Sequence, residues 1–310
     1  MTYKLLLTYP PLQLITTSSA YSPGHISGIM RASNSRLKPI LRQGSEGAGI
    51  SIDRGVTTTV NIFDSQAHGF RISLNGVPTS EAEVSKLVLL QYLRFTNKPC
   101  YLEVEHDIEI PVGFGLGSSG AAALSLSYAL NKCFSLGLSM EQAAQIAHYA
   151  EVVCGTGLGS VIAEYAGGFE CRTLAGGPGI GKITKTKIEG YKAVILCMSP
   201  ISTKHILKKN DFGCSWSEQG VKDPLGIANL KDFLDTSYAF VSNKGLLDNQ
   251  SRDIISNLNS LGFTSSLALF GRTIFTVVPK DKTEQVVNCL SGYQGQLITC
   301  GIDNIGARML

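Results

Sequence analysis

The sequence predicts a two-lobe α+β fold, and three observations predict it. The chain has 310 residues; domains average about 100 to 200 residues, so this length suits two modest domains or an enzyme whose site lies between two lobes. Composition shifts at Gly176-Gly177-Pro178-Gly179-Ile180-Gly181, which places the lobe boundary just after it and divides residues 1–185 from 186–310. Beyond that boundary, strand-like and helical stretches follow an order of their own.

Taken from the N-terminus, the first eighteen or so residues join no clear pattern. An apolar and small-residue strand is expected from Ile15 to Tyr21, followed by a turn at Ser22-Pro23-Gly24-His25. A second glycine-rich turn, Gly44-Ser45-Glu46-Gly47-Ala48-Gly49, leads into β-branched stretches at 50–52 and 56–62. Residues 81–96 place Val84, Leu87 and Val88 at helical spacing, and 101–108 alternate as a strand does. An uncharged loop then runs into a helix over roughly Ser119 to Leu136. Ser139 and Gln142 have capping-box spacing ahead of a helix to about Val153. Glycines at 155, 157 and 159 stop it, and a short helix from Ser160 to Tyr165 ends at Gly167-Gly168.

In the second lobe the expected order is a strand at 193–198, helices at 228–244 and 251–261, strands at 266–270 and 273–278, a helix at 283–290 and a strand at 296–300. That order matches the split βαβ, ferredoxin-like arrangement. The stretch from Asn210 to Val221, with Trp216, reads as a polar loop, and the lysines at 182, 185, 187, 204, 208 and 209 read as solvated faces.

Composition narrows the function classes. Charged residues make up 16%, against an ordinary share of roughly 25%. The formal net charge is +3, too small for a nucleic-acid-binding field, and basic and aromatic residues do not interleave. Residues 110–131 carry no Asp, Glu, Lys or Arg. Pro111, the glycines and the small alanines nevertheless make this run a loop and buried helix, not a membrane span. The N-terminus is too thinly charged for a signal peptide. The eight cysteines contain no C-x-x-C pair, which argues for reduced thiols and against a structural zinc site. A cytoplasmic protein is the expectation.

The most informative stretch is Pro111-Val112-Gly113-Phe114-Gly115-Leu116-Gly117-Ser118-Ser119-Gly120-Ala121, after a strand and opening a helix. Glycines let backbone approach a ligand closely, and a helix N-terminus offers unpaired N–H groups and a positive dipole end. Together they make a cradle for phosphate. The lysine of a Walker motif is missing. The adjacent hydroxyls of Ser118 and Ser119 suit a phosphate oxygen and a Mg²⁺ ion. The plain alternative is a glycine-rich turn before a core helix.

This segment resembles the phosphate loop of the GHMP kinases, small-molecule kinases whose pattern is a proline followed by Gly-Leu-Gly-Ser-Ser-Ala; Gly120 stands where alanine is usual. Within them the chain is most similar to the archaeal pantoate kinases, through Ser22-Pro23-Gly24-His25-Ile26-Ser27-Gly28, residues 44–49 and Ala150-Glu151-Val152-Val153-Cys154-Gly155-Thr156-Gly157-Leu158-Gly159. The resemblance implies the two-lobe GHMP kinase fold, with an N-lobe like domain 2 of ribosomal protein S5 and a ferredoxin-like C-lobe. It implies ATP and Mg²⁺ as cofactors and pantoate as phosphoryl acceptor.

By the same resemblance Gly115, Leu116, Gly117, Ser118, Ser119 and Gly120 cradle phosphate, and Ser119 and Glu151 hold Mg²⁺. A solvated helix-end carboxylate is the bland alternative for Glu151. Where the family's catalytic aspartate is expected, this chain has Ser160, which cannot act as a base near neutral pH; Glu164 is one conceivable substitute. A pantoate carboxylate calls for a fork of N–H donors. Arg172 is the first candidate, ahead of Arg31 and Arg54, and His25 is a candidate for a substrate hydroxyl or carboxylate. Gly271 occupies the place of a third glycine-rich motif, in a weak match.

Rival readings are the same fold acting on another small alcohol, of homoserine or mevalonate type, and a catalytically weak nucleotide-binding paralogue, motivated by Ser160. The sequence leaves a homodimer open.

Overall fold

The computed structural model describes residues 13–33, 37–96, 98–201, 203, 206 and 212–310. The readings made for residues 1–12, for Lys204, Lys208 and Lys209, and for Asn210 at the start of the polar loop lie outside these residues.

The first sheet is built on a long antiparallel pair, β1 (Leu14–Ser33) and β2 (Gly44–Asp64). The second half of β2 pairs with β5 (Cys100–Ile108), which runs parallel to β3 (Gly69–Leu74); a two-residue β4 (Val77–Pro78) closes that edge. The first half of β2 pairs instead with β6 (Phe169–Leu174), which carries β7 (Lys182–Thr186). Helices α1 (Glu83–Leu93), α2 (Ser118–Cys133), α3 (Met140–Cys154) and α4 (Ser160–Ala166) belong to the same lobe. The core packs Val60, Leu102 and Val104 of the strands against Val88 of α1, Leu124 of α2 and Ala147 of α3.

The second sheet holds β8 (Tyr191–Ser199), β9 (Ser266–Leu267), β10 (Arg272–Pro279) and β11 (Gln296–Cys300) in the spatial order β11-β8-β10-β9, all antiparallel. With α5 (Leu230–Asn243) and α6 (Asn249–Ser260) between its first two strands and α7 (Thr283–Leu290) before its last, this is the ferredoxin-like order the sequence predicted. The core of this lobe also takes in Ile26, Ile29, Ile50 and Ile52 from β1 and β2. The lobes are therefore joined by shared apolar packing, not by a linker alone. Gly28 lies so close to Phe233 and Ser237 of α5 that a Cβ there has no room. Among the described residues no helix is long and apolar enough to cross a membrane.

The capping box of α3 forms as expected: Gln142 N donates to Ser139 Oγ at 3.1 Å and Ser139 N to Gln142 Oε1 at 2.9 Å. Two expected turns do not form. Residues 22–25 lie inside β1, at a register shift between Pro23 and Gly24, because a proline at a bulge leaves no ladder bond unmade. Residues 44–49 lie inside β2. Their glycines answer crowding rather than turning; a Cβ on Gly49 would collide with the His25 ring. Two further expectations are corrected: the strand predicted at 266–270 is only two residues long, and Trp216, in the stretch read as a polar loop, is buried with the Arg31 guanidinium 5.7 Å from its ring centre. A short β12 (Arg308–Met309) returns to pair with Ala20 and Tyr21 of β1.

Candidate active site

The loop between β5 and α2 is shaped by three glycines with positive φ: Gly113 (87°), Gly115 (74°) and Gly117 (76°). Residues with a Cβ resist that region. Gly117 is the N-cap of α2 and no side chain caps the helix, so the first-turn N–H groups and the dipole face outward, as an anion site requires. The loop is pinned at both ends: His25 N donates to Leu116 O at 2.9 Å and Ile201 N to Gly113 O at 2.8 Å. Gly271, the weak third motif of the sequence, presses directly on Phe114 and Gly115, too close for any side chain. The second lobe thus shapes the glycine loop through backbone.

Facing this loop is Glu151, in the last turn of α3 and 1% exposed. Thr156 Oγ1 donates to its Oε1 at 2.6 Å, and Ser160 Oγ to its Oε2 at 3.3 Å. Burial raises the Glu151 pKa above the ordinary carboxylate range, opposed by hydrogen bonds from Thr156, Ser119 and Ser160. The αL cap at Gly155 turns the chain back, which places Thr156 and Ser160 on either side of the carboxylate. Glu164, one turn along α4, is fully buried with no hydrogen-bond partner for either carboxylate oxygen. Burial first, and the Glu151 charge second, push its pKa well up.

A second buried group lies below. His25 Nε2 donates to Glu170 Oε1 at 2.9 Å, and Arg172 Nη1 donates to the same oxygen. All three side chains are at most 2% exposed. Burial lowers the His25 pKa, with the Glu170 hydrogen bond opposing it. Arg172 Nε and Nη2 have no partner and lie against Gly159 and Gly47.

Two adjoining cavities share one wall beside these groups. One, about 270 Å³, is lined by the glycine loop together with His25, Ser27, Ser45, Thr156 and Ser160, and by Phe270 from the second lobe. The other, about 290 Å³, is bounded by Leu74, Ala82, Val84, Ser85, Ile108 and Ala122. Ser118, Ser119, Thr156 and Val112 line both.

The structure therefore brings Gly115, Leu116, Gly117, Ser118, Ser119, Ser160 and His25 to one cavity, with Glu151 buried behind Thr156 and Ser160 of its wall. Gly120 lies behind it, where a Cβ would stand 2.7 Å from Glu164 Oε2 and 2.8 Å from Ser160 Oγ. Glycine in place of alanine is thus explained by the buried carboxylate. Arg172 sits beneath the floor rather than in the cavity. Arg31 is paired with Glu46 at 2.5 Å, and neither it nor Arg54 lines the site. Sequence reasoning missed Thr156, although it stands within the glycine run, and missed Ser45, whose segment looked like a turn.

Residues 83–168 match the family model described as GHMP kinases N terminal domain. The chain is 34% identical to the pantoate kinase of Methanocaldococcus jannaschii over 280 residues, covering 87% of this chain and 96% of that protein. A solved structure described as a phosphotransferase related to the CoA biosynthesis pathway superposes with a TM-score of 0.85 at 25% identity, covering 95% of this chain and 99% of the other. A further one, described as MDDEF in complex with MVAPP, AMPPCP and magnesium, has a TM-score of 0.73 at 14% identity over 95% and 98% of the two chains, a likeness of fold.

Proposed function

From the premise that this chain belongs to the GHMP kinases, and within them to the pantoate kinase family, we propose that it transfers the γ-phosphoryl group of ATP to the 4-hydroxyl of (R)-pantoate, a step of archaeal coenzyme A synthesis. The observation that carries this reading is the placement of Ser118, Ser119 and Thr156 on the wall common to the two cavities. Phosphates at that wall leave the apolar cavity for the nucleoside and the polar one for the acceptor.

The residues fit a magnesium ion. Glu151 and Ser119 offer hard oxygen ligands, and no group of three or more His, Cys, Asp or Glu is found among the described residues. Magnesium typically takes one or two carboxylates and fills its shell with phosphate oxygens and water. When bound, it neutralises charge that develops on the phosphates. The α2 N-terminus holds the phosphate oxygens through backbone N–H groups. Ser160, itself held by Glu151, orients the acceptor hydroxyl without taking its proton. Phosphoryl transfer passes through a loose transition state in which positioning and charge neutralisation carry most of the catalysis, so a strong base is dispensable.

Arg172 and His25 form the acceptor end. The unpartnered Arg172 Nε and Nη2 supply positive potential beneath Gly159 and Ser45, which line the acceptor cavity. A carboxylate there is met by charge in a buried setting, where electrostatic attraction is stronger than in water. We assign the ATP-binding lobe to residues 1–185 and the ferredoxin-like lobe to 186–310, with β12 returning to the first sheet.

The test is ADP release across a panel of acceptors. Turnover of pantoate in preference to homoserine and mevalonate is expected. Turnover of homoserine without pantoate would overturn the substrate assignment.

A further inference from the structure

His25 is held so that one nitrogen of its ring is spent and the other is left over. Glu170 Oε1 lies 2.9 Å from His25 Nε2 and also receives Arg172 Nη1. The same edge of the ring is closed by β2, where a Cβ on Gly49 would collide with Nε2 and Cε1. What remains is Nδ1, 3.4 Å from Ser27 Oγ. His25 and the half-buried Ser27 both line the polar cavity.

The protons in this group can be counted. Arginine stays charged and only donates. Glu170 Oε2 is buried without a partner, so a proton there would point at nothing, and Oε1 already faces Arg172 and His25. The group is therefore a carboxylate. A carboxylate only accepts, so His25 Nε2 carries a hydrogen. Burial lowers the His25 pKa against the Glu170 hydrogen bond, and the Arg172 charge adds to the lowering. A neutral ring with its hydrogen on Nε2 has a bare lone pair at Nδ1. Ser27 brings one proton to this corner. If that proton goes to Nδ1, the cavity meets only lone pairs of the serine; if it goes to a ligand, Nδ1 is left buried and unpaired. Either way the ligand must supply a proton.

We propose that His25 and Ser27 together form a hydrogen-bond acceptor that reads the second hydroxyl of the substrate, so that the enzyme takes a hydroxy acid and rejects the oxo acid of the same carbon skeleton. The proposal rests on the reading that this cavity holds pantoate, which carries that hydroxyl on the carbon next to its carboxylate. A hydroxyl at this point donates and completes the set. A carbonyl oxygen adds a lone pair where one proton already serves Nδ1, and unpaired buried polar groups are what make such sites discriminating. A methylene adds no lone pair. The order of preference is therefore hydroxyl, then methylene, then carbonyl, whereas a site that measured only size would place the carbonyl between the other two.

The test measures kcat/KM for pantoate, its 2-deoxy analogue and its 2-oxo analogue, with the intact enzyme and with Ser27→Ala. In the intact enzyme the 2-deoxy acid is expected to fall about tenfold below pantoate, as loss of one buried hydrogen bond does, and the 2-oxo acid to fall further. Ser27→Ala is expected to bring pantoate down to the level of the 2-deoxy acid. If the intact enzyme uses the 2-oxo acid as well as the 2-deoxy acid, or Ser27→Ala keeps the preference for pantoate, the hydroxyl is not read here and the pantoate reading stands. If pantoate is not turned over while another alcohol is, the substrate reading falls and the proposal with it. Nitrogen-15 shifts of the intact enzyme read the His25 ring directly: a bare Nδ1 supports the assignment, and a protonated Nδ1 overturns it.

Discussion

Ser160 Oγ donates to Glu151 Oε2 at 3.3 Å across the turn that separates α3 from α4, while Thr156 holds the other oxygen at 2.6 Å. The serine is therefore one of two supports for a buried carboxylate. Ser160→Ala is expected to lower kcat roughly tenfold, at the low end of what a positioning group contributes, with little change in the KM for ATP. Ser160→Asp places another carboxylate beside Glu151 and near Glu164, so the urea midpoint is expected to fall with no gain in turnover. A sharp rise in turnover would instead identify a weakened paralogue lacking its base.

Glu151→Gln keeps the shape and removes the charge. Loss of a group aimed at developing charge typically costs on the order of 100- to 1,000-fold in kcat. That loss is expected here, together with a higher magnesium concentration for half-maximal rate and an unchanged circular dichroism spectrum. Half-saturation at the same magnesium concentration would remove Glu151 from the metal site.

Gly120→Ala tests the crowding behind the loop. The new methyl meets Glu164 Oε2 at 2.7 Å and Ser160 Oγ at 2.8 Å, and overpacking of this kind costs about 1 to 3 kcal/mol. In combination with Glu164→Ala much of that cost is expected to disappear, so the two changes should be strongly non-additive in urea unfolding. Simple additivity would show that Glu164 is not what excludes the methyl.

Glu164 also shapes the pH dependence of stability. Its folded pKa is raised, by burial and by Glu151, so the native state binds more protons than the unfolded chain above the ordinary carboxylate range. Stability contributed through this group is present below the unfolded pKa and falls as pH rises through the window between the two values. Glu164→Gln removes that slope: unfolding at pH 8 should show the variant more stable than the parent, with the gap narrowing towards pH 5. A gap independent of pH would mean that Glu164 does not titrate in this range.

Local patterns were readable wherever short-range chemistry decides the backbone. The Ser139 and Gln142 capping box, the αL stop at Gly155 and the glycine loop ahead of α2 were each visible in a few neighbouring residues. The second lobe was recognisable because its element order alone specifies the ferredoxin-like topology. Glycines misled where they serve close approach instead of turning, as at Gly49 beside His25.

From sequence alone came the fold class and the glycine loop ahead of α2, because these depend on element order and on residues adjacent along the chain; Glu151 was singled out by its resemblance to the family's motif. Only the tertiary structure showed Arg172 and His25 sharing Glu170, Glu164 behind Gly120, and Gly271 against the glycine loop. Each of these is a contact between distant segments, and its consequence comes from burial: away from water, an unpaired oxygen or an extra methyl has nowhere to go, and the partner it meets sets its role.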